Sequence, residues 1–187
     1  MIAQLKRFDF IELALIAAAG ASAALLAGAH LFEALGYPPC TLCLDQREAH
    51  WTALAIAVAG IVAQLGLRAR LVAAAAVGAT ALVYAVSAGL AFFHAGVEFG
   101  YWPGPASCSA VGAGAADPAD LERALNSRTH GPSCDEASWR LFGISMAGYN
   151  LLFSAGLFAL TLGAALKATR AAKDARRPHG DAAEGAV

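Results

Sequence analysis

The sequence predicts an all-α membrane protein, a four-helix transmembrane bundle with two extracytoplasmic loops and both termini cytoplasmic. Composition comes first: of 187 residues, 58% are hydrophobic and only 14% charged, far from an ordinary soluble domain. The second observation is four long stretches, Leu13–Phe32, Trp51–Leu67, Leu71–Phe93 and Leu141–Leu166, that contain no Asp, Glu, Lys or Arg. Each approaches or exceeds the roughly 17–25 residues that cross hydrocarbon. The third is the placement of basic residues. Lys6, Arg7, Arg68, Arg70, Lys167, Arg170, Lys173, Arg176 and Arg177 fall on one face, against Arg47, Arg123, Arg128 and Arg140 on the other. Basic residues stay on the cytoplasmic side, which orients the bundle.

The first helix is expected over about 11–33. Lys6 and Arg7 before an Ala-rich run, with Ala27-Gly28-Ala29 near its end, imitate a cleaved signal peptide. The apolar run is longer than the roughly 7–15 residues of a signal-peptide core. Its removal would also leave an odd number of spans and split the cysteines across the membrane. A loop over about 34–47 carries Pro38-Pro39-Cys40-Thr41-Leu42-Cys43, and the second helix is expected over about 48–67. Only Arg68, Ala69 and Arg70 separate it from a third helix over about 71–93, so the two form an antiparallel hairpin.

The second loop spans about 94–140. Trp102-Pro103-Gly104-Pro105 breaks any helix, and Phe99, Tyr101 and Trp102 form an aromatic cluster suited to the membrane interface. Asp117-Pro118 is a helix start, with Asp at the N-cap and Pro at the first position, for a short helix to about Asn126. A fourth helix is expected over about 141–166. Residues 1–166 make one membrane domain, and 167–187 a polar cytoplasmic tail without fixed structure. Small residues abound in Ala17–Ala24, Ala73–Ala79 and Gly143–Gly156, which lets helix backbones approach closely. No run of buried charge marks an ion pathway, which argues against a transporter. No basic domain points to nucleic acid, so none is expected as a partner; the lipid bilayer is.

An even number of crossings puts all four cysteines, Cys40, Cys43, Cys108 and Cys134, on the extracytoplasmic face, where disulfides persist. Cys43 lies near a helix start, where backbone N–H groups and the helix dipole favour a thiolate. Arg47, four residues on, shares its helical face. Cys108 and Cys134 sit at opposite ends of the polar loop. They suit either a structural staple, worth about 3–4 kcal/mol in the chain-entropy account, or carriage of sulfurs between an external protein and Cys40–Cys43. A c-type haem needs His after the second cysteine, and residue 44 is Leu. Zinc lacks a second paired ligand motif, so no metal is expected. Exchange between two disulfides uses all four cysteines without missing ligands. Thiol exchange conserves disulfides, so a catalyst that repeatedly oxidises a partner must pass two electrons to another acceptor, for which a membrane-soluble carrier suffices.

Pro-Cys-Thr-Leu-Cys-Leu-Asp-Gln-Arg at 39–47, Trp-Pro-Gly-Pro-Ala-Ser-Cys before Cys108, and Cys134 followed by Trp139-Arg140-Leu141-Phe142-Gly143 resemble the disulfide bond formation protein B family. The resemblance covers all four helices. It implies a bacterial inner-membrane thiol oxidase that takes electrons from a periplasmic thioredoxin-like, DsbA-like disulfide oxidase through Cys108–Cys134 to Cys40–Cys43. From there they pass to the membrane quinone pool, ubiquinone or menaquinone. By the same resemblance Cys108 is attacked by the partner, Cys134 joins Cys40 during interchange, Cys43 faces quinone, and Arg47, His94 and Met146 line the quinone site. Gln46 stands where some relatives carry an acid. Glu98 is a second proton-handling candidate beside His94, whereas His30, His50 and His130 receive no catalytic role. Two alternatives are a vitamin K epoxide reductase-like enzyme, in which the loop cysteines precede the C-x-x-C, and a membrane scaffold with structural disulfides. The charge asymmetry makes a direct prediction: an impermeant thiol reagent labels reduced Cys108 from the extracytoplasmic side of intact cells. Labelling from the cytoplasmic side alone would reverse the orientation.

Overall fold

The computed structural model describes residues 9–108 and 133–176. Four helices, α1 (Phe10–Ala34), α2 (Thr41–Leu65), α3 (Arg70–Glu98) and α4 (Met146–Arg176), are each long and apolar enough to cross a membrane. The shortest, at 25 residues, spans about 37 Å at 1.5 Å per residue, more than the roughly 30 Å of hydrocarbon. The chain is a multi-pass four-helix transmembrane bundle. The ends of α1 and α3 meet the starts of α2 and α4 at one end of it, and all four cysteines lie there. Arg68 and Arg70 lie at the other end, where Arg70 Nη1 pairs with Asp9 Oδ2 at 2.6 Å and ties α3 to the start of α1.

The helix boundaries differ from the expected ones for local reasons. α2 starts at Thr41 and not near 48, because Pro38 and Pro39 end the preceding segment and nothing between 41 and 48 breaks a helix. The C-x-x-C is therefore the first turn of α2, with Cys40 at its N-cap. α3 continues past 93 to Glu98, since the first breaker after it is Gly100, with φ 72°. α4 begins at Met146. Residues 140–145 instead form a small hairpin, β1 (Arg140–Leu141) antiparallel to β2 (Ile144–Ser145). Its two-residue turn places Phe142 and Gly143 at φ 50° and 80°, the left-handed pair of a type I′ turn. α4 also runs beyond 166, into what the sequence suggested was unstructured tail: Ala-rich 167–176 has no Gly or Pro to stop it. The short helix expected after Asp117 lies outside the described residues.

α3 packs against both α2 and α4, and α2 against α1, while α1 and α4 touch much less. The core is built of small residues, with Ala14, Ala18, Ala53, Ala57 and Ala73 fully buried around Leu15, Val77 and Tyr84. Lipid supplies no hydrophobic drive between apolar helices, so close van der Waals contact carries their association. Gly60 is the tightest such point. A methyl group there would stand 2.7 Å from Ala76 Cβ and 2.9 Å from Leu15 Cδ1. Gly60→Ala is therefore expected to destabilise the bundle by about 1–3 kcal/mol, whereas Gly78→Ala, with nothing within 4 Å, is tolerated. Reversible denaturation in mixed micelles tests the pair, and equal stabilities would refute this packing.

Candidate functional site

The site is assembled at the start of α2. Cys40 Sγ accepts the Cys43 backbone N–H at 3.2 Å, so a cysteine caps the helix where Ser or Asp usually would. The cap brings Cys43 Sγ to 2.7 Å from Cys40 Sγ. Hydrogen bonding to the Cys43 sulfur, together with burial, pushes the Cys40 thiol well above its ordinary range. Cys40 is therefore the sulfur that resists ionisation when the pair is reduced.

The second cysteine pair reaches the same place through the loops. Cys108 and Cys134 form a disulfide with Cα atoms 5.3 Å apart. Cys40, Leu42, Val97, Cys108 and Cys134 make one buried cluster, with Cys43 and Trp102 packed on it. Three contacts hold the Cys108 segment there. Thr41 Oγ1 donates to the Ser107 carbonyl at 2.9 Å. Trp102 Nε1 donates to the Phe93 carbonyl at 2.8 Å, and its ring stacks on Phe93 with planes 10° apart. The Trp102 ring also lies against Gly96, where any Cβ would collide with it.

Beneath the sulfurs, a cavity of about 420 Å³ lies between α1 and α4, within the range of small-molecule sites. Cys43, Gln46, Arg47 and His50 of α2, His94 of α3, and Met146 and Asn150 of α4 line it. Most of the remaining wall is apolar, including Leu25, Phe32 and Phe153. Ala24 and Phe153 are exposed on the outer face of the bundle, so the cavity opens sideways where lipid would stand. Trp139, packed on Phe32 at 5.0 Å, walls its upper end.

All seven residues singled out in the sequence meet here, divided between the sulfur cluster and the cavity. Cys43 belongs to both. Arg47 does not float at an interface: Nη1 pairs with Glu33 Oε2 at 2.6 Å and Nη2 donates to the Ala29 carbonyl at 3.1 Å. His94 is 4% exposed, with Nε2 lying 3.6 Å from Cys40 Sγ and 3.8 Å from Glu98 Oε1. The cysteine pair and His94 place three possible metal donors within 4.8 Å of one another. Two thiolates on one tetrahedral zinc stand about 3.7 Å apart, given Zn–S bonds of about 2.3 Å. The 2.7 Å between Cys40 and Cys43 is closer to a disulfide than to that arrangement.

Sequence reasoning noted Gln46 without a role and missed His50 and Asn150. Gln46 Oε1 accepts from Asn150 Nδ2 at 2.5 Å, and His50 Nε2 lies 2.7 Å from Asn150 Oδ1. The signal for His50 was its spacing. Residues 43, 47 and 50 fall at i, i+4 and i+7, one face of α2 once the helix is known to begin at 41. Nothing in the sequence marked Asn150.

The sequence model of the family described as disulfide bond formation protein DsbB matches residues 11–164. No curated protein and no solved structure matches the chain.

Proposed function

The chain belongs to the DsbB family of membrane oxidoreductases that form disulfide bonds, and we propose that it is a quinone-dependent oxidase of a periplasmic, DsbA-like dithiol protein. In this reading the bundle sits in a bacterial inner membrane with the cysteine end periplasmic and both termini cytoplasmic. One observation carries the proposal: the two cysteine pairs share a buried cluster, and Cys43 alone among the four also faces the cavity.

The electron path follows from that placement. A partner thiolate attacks Cys108 of the Cys108–Cys134 disulfide, and the second partner thiol resolves the mixed disulfide. The partner leaves oxidised, and the loop pair holds two thiols. A loop thiolate next attacks Cys40 of an oxidised Cys40–Cys43 pair, and the breaking bond leaves its electron pair on Cys43 at the cavity wall. Quinone, either ubiquinone or menaquinone, would supply the final acceptor for two electrons and two protons.

The lining residues suit such a carrier. Arg47 offers a planar fork of donors to an oxygen that gains negative charge, and Glu33 and the Ala29 carbonyl fix its direction. Met146 and the aromatic and aliphatic wall match an apolar ring. The lateral opening admits a lipid-soluble molecule without passage through water. His94 sits between Cys40 and the carboxylate of Glu98, within reach of proton handling at the sulfurs.

Quinone titrations with the reduced thioredoxin-like partner at saturation test this reading. Arg47→Lys keeps the charge but loses the fork, so its apparent KM for quinone rises. Arg47→Ala raises it further, by about tenfold or more for loss of a charge-assisted hydrogen bond. Cys108→Ser abolishes turnover with the protein partner but retains quinone reduction by dithiothreitol, because Cys40 and Cys43 are intact. Unchanged quinone dependence in both Arg47 variants removes Arg47 from the site, and loss of the dithiothreitol reaction in Cys108→Ser refutes the division of roles.

A further inference from the structure

The polar groups beneath the sulfurs form a chain whose direction is set at one atom. A backbone carbonyl can only accept, so the Gln46 atom 3.1 Å from the Leu42 oxygen is the amide nitrogen. That nitrogen also lies 2.8 Å from His94 Nδ1. An amide nitrogen can only donate, hence Nδ1 accepts and carries no proton. The neutral ring must then hold its proton on Nε2, the atom that faces Cys40 Sγ at 3.6 Å and Glu98 Oε1 at 3.8 Å. A backbone carbonyl can only accept, so the Cys134 carbonyl that bonds the same ring shares the Nε2 proton with the Cys40 sulfur.

The other end of Gln46 continues the logic. Its Oε1 accepts from Asn150 Nδ2 at 2.5 Å, which turns Asn150 Oδ1 towards His50 Nε2 at 2.7 Å and Ser154 Oγ at 3.2 Å. His50 therefore donates from Nε2, and its Nδ1 faces Ser22 Oγ at 3.3 Å. From His50 through Asn150, Gln46 and His94, every donor points the same way, and the chain ends at Nε2–H on the Cys40 sulfur and the Cys134 carbonyl.

We propose that Gln46 is a positioning residue: anchored by Leu42 and Asn150, it holds His94 in the tautomer whose Nε2–H faces the Cys40 sulfur. His94 then acts on Cys40 as a hydrogen-bond donor and not as a base. The donor matters when Cys40 leaves a mixed disulfide with a loop cysteine. The other loop thiolate attacks its neighbour, the loop S–S bond forms, the bond to Cys40 breaks, and its electron pair stays on Cys40 Sγ, where the Nε2–H already points. This use of the donor rests on the thiol-oxidase reading, whereas the tautomer does not. A carboxylate at position 46 would invert the arrangement. It has no hydrogen to donate, so Nδ1 would have to carry the proton.

Imidazole 15N spectroscopy on the full-length protein reads the tautomer directly. The protein is labelled at histidine and held at a pH of about 8, above the ordinary imidazole range, and the His94 signals are assigned by their loss in His94→Phe. The expected wild-type pattern is an unprotonated Nδ1 and a protonated Nε2. Gln46→Glu moves the proton signature onto Nδ1. A second readout is the alkylation rate of Cys40 in a Cys43→Ser background with the Cys108–Cys134 disulfide closed. Gln46→Leu slows that alkylation about tenfold, as loss of one aligned hydrogen bond to a thiolate would. A wild-type ring protonated on Nδ1 overturns the proposal, and so do ring signals and alkylation rates unchanged in both Gln46 variants. The wild-type spectrum decides the tautomer even if Gln46→Leu fails to fold. Neither readout uses quinone or partner, so failure here is distinct from failure of the quinone titration.

Discussion

The start of α2 at Cys40 is the constraint from which the site follows. Two prolines end the preceding chain, a cysteine sulfur caps the helix, and the register of every later residue is then fixed. Cys43, Arg47 and His50 share a face that lines the cavity. Gln46, one residue before Arg47, points to His94 and Asn150. Had α2 begun near 48, the C-x-x-C would hang in a loop with no geometric tie to Arg47. A helix end gives a cysteine pair both fixed spacing and a polar backbone, two properties that a loop supplies poorly.

The bundle reconciles two demands that usually conflict. Interior positions in a membrane helix favour small apolar residues, and the lower core consists of alanines that let α1, α2 and α3 approach closely. Under the sulfurs, however, the interior carries Ser22, Gln46, His50, Tyr84, His94, Asn150 and Ser154. Each is hydrogen-bonded to another of these or to a backbone carbonyl. Unpaired polar groups in hydrocarbon are costly, which makes a fully connected network the workable form for so many of them. Glu98 is less complete, because among the described residues one of its buried carboxylate oxygens has no hydrogen-bond partner. It stands beside the ring that faces Cys40.

Much of the architecture was legible because the bilayer is a severe selector. Four charge-free stretches of spanning length leave few arrangements, and an even number of crossings places the cysteines together. The boundaries were less legible. Charged residues such as Asp45 and Arg47 read as loop on a hydropathy scale, although helix continuity is decided by capping and by the absence of breakers, as α2 and the extension of α4 to Arg176 demonstrate. The hairpin at 140–145 escaped notice because its strands are two residues each, too short for any periodicity, and only the left-handed turn at Phe142 and Gly143 defines it.

By itself the sequence determined the membrane class, the number of spans, the shared face of the cysteines and the residue types available for thiol chemistry, since composition and local spacing carry those directly. Tertiary structure decided which groups meet. Arg47 and Glu33 pair across α1 and α2. Trp102 folds back on Gly96 and Phe93 to hold the Cys108 segment over α2. Asn150, more than a hundred residues from Gln46, turns the amide that orients His94. These are directional contacts between distant parts of the chain, and a one-dimensional pattern cannot specify them, because a hydrogen bond depends on where both partners stand and which way each one faces.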